Sequence, residues 1–110
     1  MHNPEMHDQA ELGPIADRVL FENERVRIWE MELEPGERSS VHHHEHDYVV
    51  ILVEGDVVGV EPAIGSKFES DGYHESQVVP GKTAFIRGGG TETAMNVGKT
   101  TYRDIEIELL

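Results

Sequence analysis

The sequence predicts an all-β domain, a sandwich or closed barrel of short strands, and three observations carry that expectation. No segment repeats its apolar residues at the 3.6-residue period of an amphipathic helix. Short apolar or alternating runs recur instead, separated by Pro35-Gly36, Glu54-Gly55-Asp56, Asp71-Gly72, Pro80-Gly81 and Val97-Gly98, residue types that end strands and enter tight turns. The last run alternates cleanly, with Ile105, Ile107 and Leu109 on one face and Asp104, Glu106 and Glu108 on the other, the two-residue period of a pleated strand.

A chain of 110 residues suits one domain with its own core. Nine Lys and Arg against 22 Asp and Glu give a net charge of −13, which repels phosphate backbones and anionic lipid surfaces. Neither nucleic acid nor membrane is expected as a partner. There is no cysteine, so a disulfide framework, a thiolate nucleophile and a thiolate metal site are all excluded. The start of the chain has no basic and apolar leader pattern, and the longest apolar stretch is Tyr48–Val53, far too short to span a bilayer. The expectation is a soluble, cytoplasmic protein.

Residues 1–17 show neither period and are expected to form an N-terminal arm, leaving 18–110 as the barrel domain. His2 and His7 in that arm are read as solvated. Arg18-Val19-Leu20-Phe21 reads as a first strand and Arg25 to Glu34 as a second. In the second, Val26 and Ile28 share one parity while Trp29, Met31 and Leu33 share the other, so a bulge near Ile28-Trp29 is expected. Trp29 is assigned to the core, and Glu30, Glu32 and Glu34 to a solvated face.

Val41-His42-His43-His44-Glu45-His46-Asp47-Tyr48 then opens a third strand and places four of the seven histidines in five positions. Residues two apart share a side, which sets His42, His44, His46 and Tyr48 on one face. Neutral imidazoles are ligands for several transition metals, so His42 and His44 form a candidate metal grip. The strand continues as Val49 to Val53, apolar on both faces; one face fits a barrel interior and the other a second layer or second subunit, so a homodimer is expected. Val57–Val60 is a short strand. Lys67–Ser70 and Tyr73–Val79 flank Asp71-Gly72 as a predicted hairpin, because that dipeptide tolerates positive φ. Strands over Thr83–Ile86 and Thr91–Asn96 follow. Gly88-Gly89-Gly90 between them reads as a tight corner rather than a phosphate loop, since no Lys-Ser or Lys-Thr follows it. His74, in phase with Ser76 and Val78 on its strand, is read as an ordinary exposed or core histidine, with a pocket-facing base as the alternative.

The stretch from Gly36 to Asn96 resembles the cupin superfamily in two motif frames. In the first, Gly36 is followed by five residues, His42-His43-His44 and a closing Gly55, with Tyr48 where the family has Glu. In the second, Gly81 leads after five residues to Arg87-Gly88-Gly89, then Glu92, then Asn96, with Arg87 in place of Pro and Glu92 in place of His. The resemblance implies a single-domain, jelly-roll β-barrel of two packed antiparallel sheets with a metal held where the motifs meet. The phrasing Pro-Gly, histidines, Asp-Tyr-Val-Val is also similar to small cupins grouped as beta-alanine degradation proteins.

Carried over position by position, the resemblance implies His42, His44 and Glu92 as ligands of a divalent metal such as Zn, Fe, Ni or Mn. Two histidines and a carboxylate are a donor set used by catalytic zinc and non-haem iron. Tyr48 and His46 are the candidates for proton transfer beside it, and Arg87 for anchoring a substrate carboxylate. The function expected is a metal-dependent enzyme acting on a small organic acid or related metabolite, by isomerase, lyase or dioxygenase chemistry. The alternative is a non-catalytic small-molecule binding or sensing protein of the same fold.

Overall fold

Two antiparallel sheets face each other in the computed structural model, which describes residues 12–110. The expectation for His2 and His7 lies outside those residues. The strands are β1 (Arg18–Glu22), β2 (Val26–Leu33), β3 (His42–His43), β4 (Tyr48–Glu54), β5 (Val57–Pro62), β6 (His74–Gln77), β7 (Thr83–Ile86), β8 (Thr91–Asn96) and β9 (Tyr102–Leu109). One sheet runs β1-β2-β9-β4-β7 and the other β3-β8-β5-β6. The fold is an all-β jelly roll, with a single 3-10 turn at Glu69–Asp71 and no α-helix among the described residues. Met31, Leu33, Val58, Val78, Ala94 and Tyr102 close the core between the sheets. Ile15 and Ala16 also pack into it, and Gly13 N–H donates to the Val41 carbonyl just before the histidines.

Several local expectations are corrected. β2 pairs regularly with β9 along its whole length, so its two apolar parities are two apolar faces. The bulge sits on the neighbouring strand, where Val19 faces Trp29 but Phe21 faces Ile28, leaving Leu20 as the extra residue. Glu30 is not solvated: it is 5% exposed and lies under Arg103 at 2.7 Å and Arg18. Glu32 and Glu34 are exposed as expected. Trp29 is only half-buried, its indole N–H donating to Glu108 Oε1 at 2.9 Å.

The hairpin around Asp71-Gly72 does not form. Gly72 does take positive φ, at 68°, but β6 pairs with β5 instead. The preceding residues are held as a loop by Ser66, whose Oγ accepts from the backbone N–H of Phe68 and Thr91. The histidine run is likewise two strands rather than one. β3 belongs to the smaller sheet and β4 to the larger, and residues 44–47 cross between them.

The largest departure is β9. Tyr102, Asp104, Glu106 and Glu108 are 3%, 4%, 5% and 4% exposed, so its carboxylates point into the barrel. Its isoleucines face out. Across the outer face of the larger sheet, the register aligns Phe21, Ile28, Ile107, Val49 and Phe85 in one apolar row spanning all five strands.

Candidate metal centre

His42 and Glu92 are direct partners across the β3/β8 ladder, so backbone pairing alone sets the first histidine beside the carboxylate. His42 Nδ1–H donates to the Ser40 carbonyl at 2.8 Å, which leaves the Nε2 lone pair for the interior. His44 follows on the same side. Its Nε2 lies 3.7 Å from Glu92 Oε2, and His42 Nε2 lies 3.8 Å from the same oxygen.

His44 is held in place by the glycine corner. Its N–H donates to the Gly90 carbonyl at 2.8 Å, and its own carbonyl accepts from Gly89 N–H at 2.6 Å. A Cβ on Gly88 would stand 2.7 Å from the His46 carbonyl carbon, and Gly89 has a φ of 107°. Glycine at both positions is what lets this corner close on the histidine crossover.

The donor atoms of His42, His44 and Glu92 all lie within 4.8 Å of one another. That spacing leaves room for one ion at the about 2.0–2.2 Å bond lengths of imidazole and carboxylate ligands. His44 is 2% exposed and neither ring nitrogen has a hydrogen-bond partner. An imidazole buried without partners is costly, and a metal bond at Nε2 would satisfy one of them. Burial pushes the His44 imidazole below its ordinary value, with Glu92 opposing that shift, so the ring is in the neutral, ligating form. Burial alone would raise Glu92, but the two imidazoles facing its Oε2 outweigh it and hold the carboxyl at about 2. The residues fit a divalent metal.

Tyr48 stacks on His44 with ring centroids 4.0 Å apart and planes 13° from parallel. Burial and the nearby Glu92, Glu106 and Asp104 carboxylates push its phenol far above the usual tyrosine range. It stays protonated, so its hydroxyl carries a proton to donate.

A cavity of about 530 Å³ opens beside His42 and Glu92 between the sheets. Tyr48 and Arg87 line it, and so does His74, for which a pocket-facing place is the alternative to an ordinary exposed or core histidine. His46 does not: its Nδ1 pairs with Glu108 Oε2 at 3.0 Å, to one side. Asp104 and Glu106 do line the cavity, and sequence reasoning missed them. Alternation reported the period of β9 without its direction. The one available signal was Tyr102, an aromatic residue in phase with the acids.

Among solved structures, a cupin domain from Bordetella pertussis Tohama I superposes with a TM-score of 0.73 and 27% identity, over 84% of this chain and 90% of that one. The chain belongs to the cupin superfamily. This cupin is also similar in fold to a sugar phosphate isomerase from Silicibacter pomeroyi DSS-3, with a TM-score of 0.57 and 22% identity, over 78% of this chain and 51% of that one. A polyketide cyclase from Streptomyces resistomycificus gives a TM-score of 0.57 and 21% identity, over 79% and 56%. The cupin thus spans about half the length of each of those two enzymes. No protein-family model and no curated protein matches it.

Proposed function

We propose that this cupin is a metal-dependent enzyme acting on a small organic acid or related metabolite, with His42, His44 and Glu92 as the metal ligands. The observation that carries the reading is the convergence of three donors, one of them the unpartnered, buried His44. A divalent ion bound there would supply a Lewis acid that polarises a substrate carbonyl. Around it, His42 is oriented by the Ser40 carbonyl, Glu92 is ionised, and Tyr48 offers a proton-bearing oxygen. Arg87 would take a substrate carboxylate in a charge-assisted hydrogen bond. His46 would reach the reaction only by leaving Glu108, so Tyr48 is the better placed of the two proton-transfer candidates.

Isomerase or lyase chemistry is the reaction class favoured, because both need only a polarised carbonyl and proton transfer, and because an isomerase and a cyclase share the fold. The second reading is a binding or sensing cupin without turnover, favoured by the replacement of two usual ligand positions by Tyr48 and Glu92. The homodimer belongs to the same proposal: a second copy would cover the apolar row on the larger sheet.

Metal content tests the reading. Untagged protein is expected to hold about one equivalent of a transition metal, His42→Ala/His44→Ala to hold none, and Glu92→Gln to bind it about tenfold or more weakly. Substoichiometric metal in the parent protein and the double variant alike would defeat the metalloenzyme reading, and full affinity in Glu92→Gln would remove that residue from the ligand set.

A further inference from the structure

The inward carboxylates of β9 are not used by the metal centre, and they do not all have the same surroundings. Glu108 is satisfied: Trp29 Nε1–H donates at 2.9 Å, His46 pairs at 3.0 Å and Arg27 at 3.3 Å. Asp104 and Glu106 have no such cationic partner among the described residues. Tyr102 donates its hydroxyl to Asp104 Oδ2 at 2.5 Å, while Asp104 Oδ1 is buried with no partner at all.

Two carboxyls placed side by side on an apolar cavity wall are unfavourable for stability. Burying a carboxylate without a counter-charge is unfavourable, and apolar residues would fill the same positions without that penalty. Met31 and Leu52 flank Asp104 in the sheet, and Trp29 and Val50 flank Glu106, so the neighbouring positions already are apolar. Locally unfavourable groups retained on a cavity wall point to a ligand.

Its chemistry follows from the pair. Burial pushes Asp104 up to about 6 and Glu106 well above the ordinary carboxylate range, with Asp104 adding to the Glu106 shift. Two interacting carboxyls in this setting retain a proton between them near neutral pH. The pair then offers one acidic O–H and one free acceptor oxygen. A hydroxyl group, both donor and acceptor, matches that combination; an ammonium, donor only, leaves the acidic proton unmatched.

We propose that Tyr102, Asp104 and Glu106 form a second polar subsite of the cavity, which takes a hydroxyl group of the ligand, so that this cupin selects hydroxylated small molecules. The proposal rests on the reading that the cavity binds a small molecule, and it supplies the substrate class which that reading leaves open.

Glycerol is the probe, with n-propylamine as the cationic comparison, each titrated into metal-loaded and metal-stripped protein while backbone amide NMR signals are followed. Glycerol is expected to shift the Asp104 and Glu106 signals saturably in both forms and to bind more tightly than n-propylamine. The apolar variant Asp104→Leu/Glu106→Met is expected to weaken glycerol by about tenfold, the factor that one lost charge-assisted hydrogen bond gives. It should also melt above the parent protein, a gain that carboxyls with a structural role would turn into a loss. Unchanged glycerol affinity in that variant, a lowered melting temperature, or tighter binding of the amine would overturn the proposal. If the double variant does not fold, isosteric Glu106→Gln replaces it: weaker glycerol binding is expected, and an unchanged affinity is the overturning result. Metal content measured on the same samples separates the two readings, because absent metal with intact glycerol binding removes the metalloenzyme and leaves the subsite standing.

Discussion

At the residue scale, burial and pairing decide which acids are charged. Glu30, Glu92 and Glu108 are held below the ordinary carboxylate range, Glu30 chiefly by Arg103 and, against burial, Glu92 by the two imidazoles facing it and Glu108 by Trp29, His46 and Arg27. Glu106 goes the other way, because burial raises it and Asp104 adds to the shift. It therefore keeps its proton in the folded chain up to a higher pH than in the unfolded chain. Between those two values only the unfolded state has ionised, so it binds fewer protons and stability falls as pH rises. Glu106→Gln removes that dependence. Its melting temperature relative to the parent is expected to be nearly unchanged at about pH 4 and to rise progressively toward about pH 8. A difference that stays flat across that range would mean Glu106 is not protonated inside the barrel.

The elements show which parts of this arrangement the sequence made legible. The glycine corner is the clearest case: the run Gly88-Gly89-Gly90, with no Lys-Ser or Lys-Thr after it, reads as a tight corner, and the structure shows what the corner serves, since it docks against the His44–His46 backbone. Gly88→Ala forces a methyl to within 2.7 Å of the His46 carbonyl carbon. The expected cost is about 1–3 kcal/mol, read as a lower denaturation midpoint, together with weaker metal binding because His44 hangs from the same corner. Strand parity also placed His42, His44 and Tyr48 on a buried side, even though the segment changes sheets between them. Parity failed on β9, where an alternating strand is compatible with acids inside or outside, and solvation makes outside the default. Only the tertiary context of an apolar outer face, a cavity within and Tyr102 in phase with the acids reverses it. Glu30 was misread for a related reason, because its two arginine partners come from β1 and β9, and a single strand gives no sign of its neighbours' side chains.

For the whole molecule, the inversion of β9 has a consequence on the outside. Turning Asp104, Glu106 and Glu108 inward leaves Ile105 and Ile107 on the outer face, where Phe21, Ile28, Val49 and Phe85 extend an uncharged row across all five strands. Phe21 is 53% and Phe85 58% exposed in the isolated chain. An apolar stripe of this extent on a chain of net charge −13 is what a second copy needs, since two acidic surfaces approach best where neither carries charge. The proposed two-fold dimer would lay the row on its own counterpart. Light scattering on the parent protein should give twice the chain mass, and Ile107→Lys should halve it, because a lysine in the middle of the row would place two like charges within the proposed interface. Metal content should survive the change, since Ile107 faces away from His42, His44 and Glu92. A single-chain mass for the parent protein would show that the row is not covered by a second copy, and loss of metal in Ile107→Lys would show that the outer face and the metal centre are not independent.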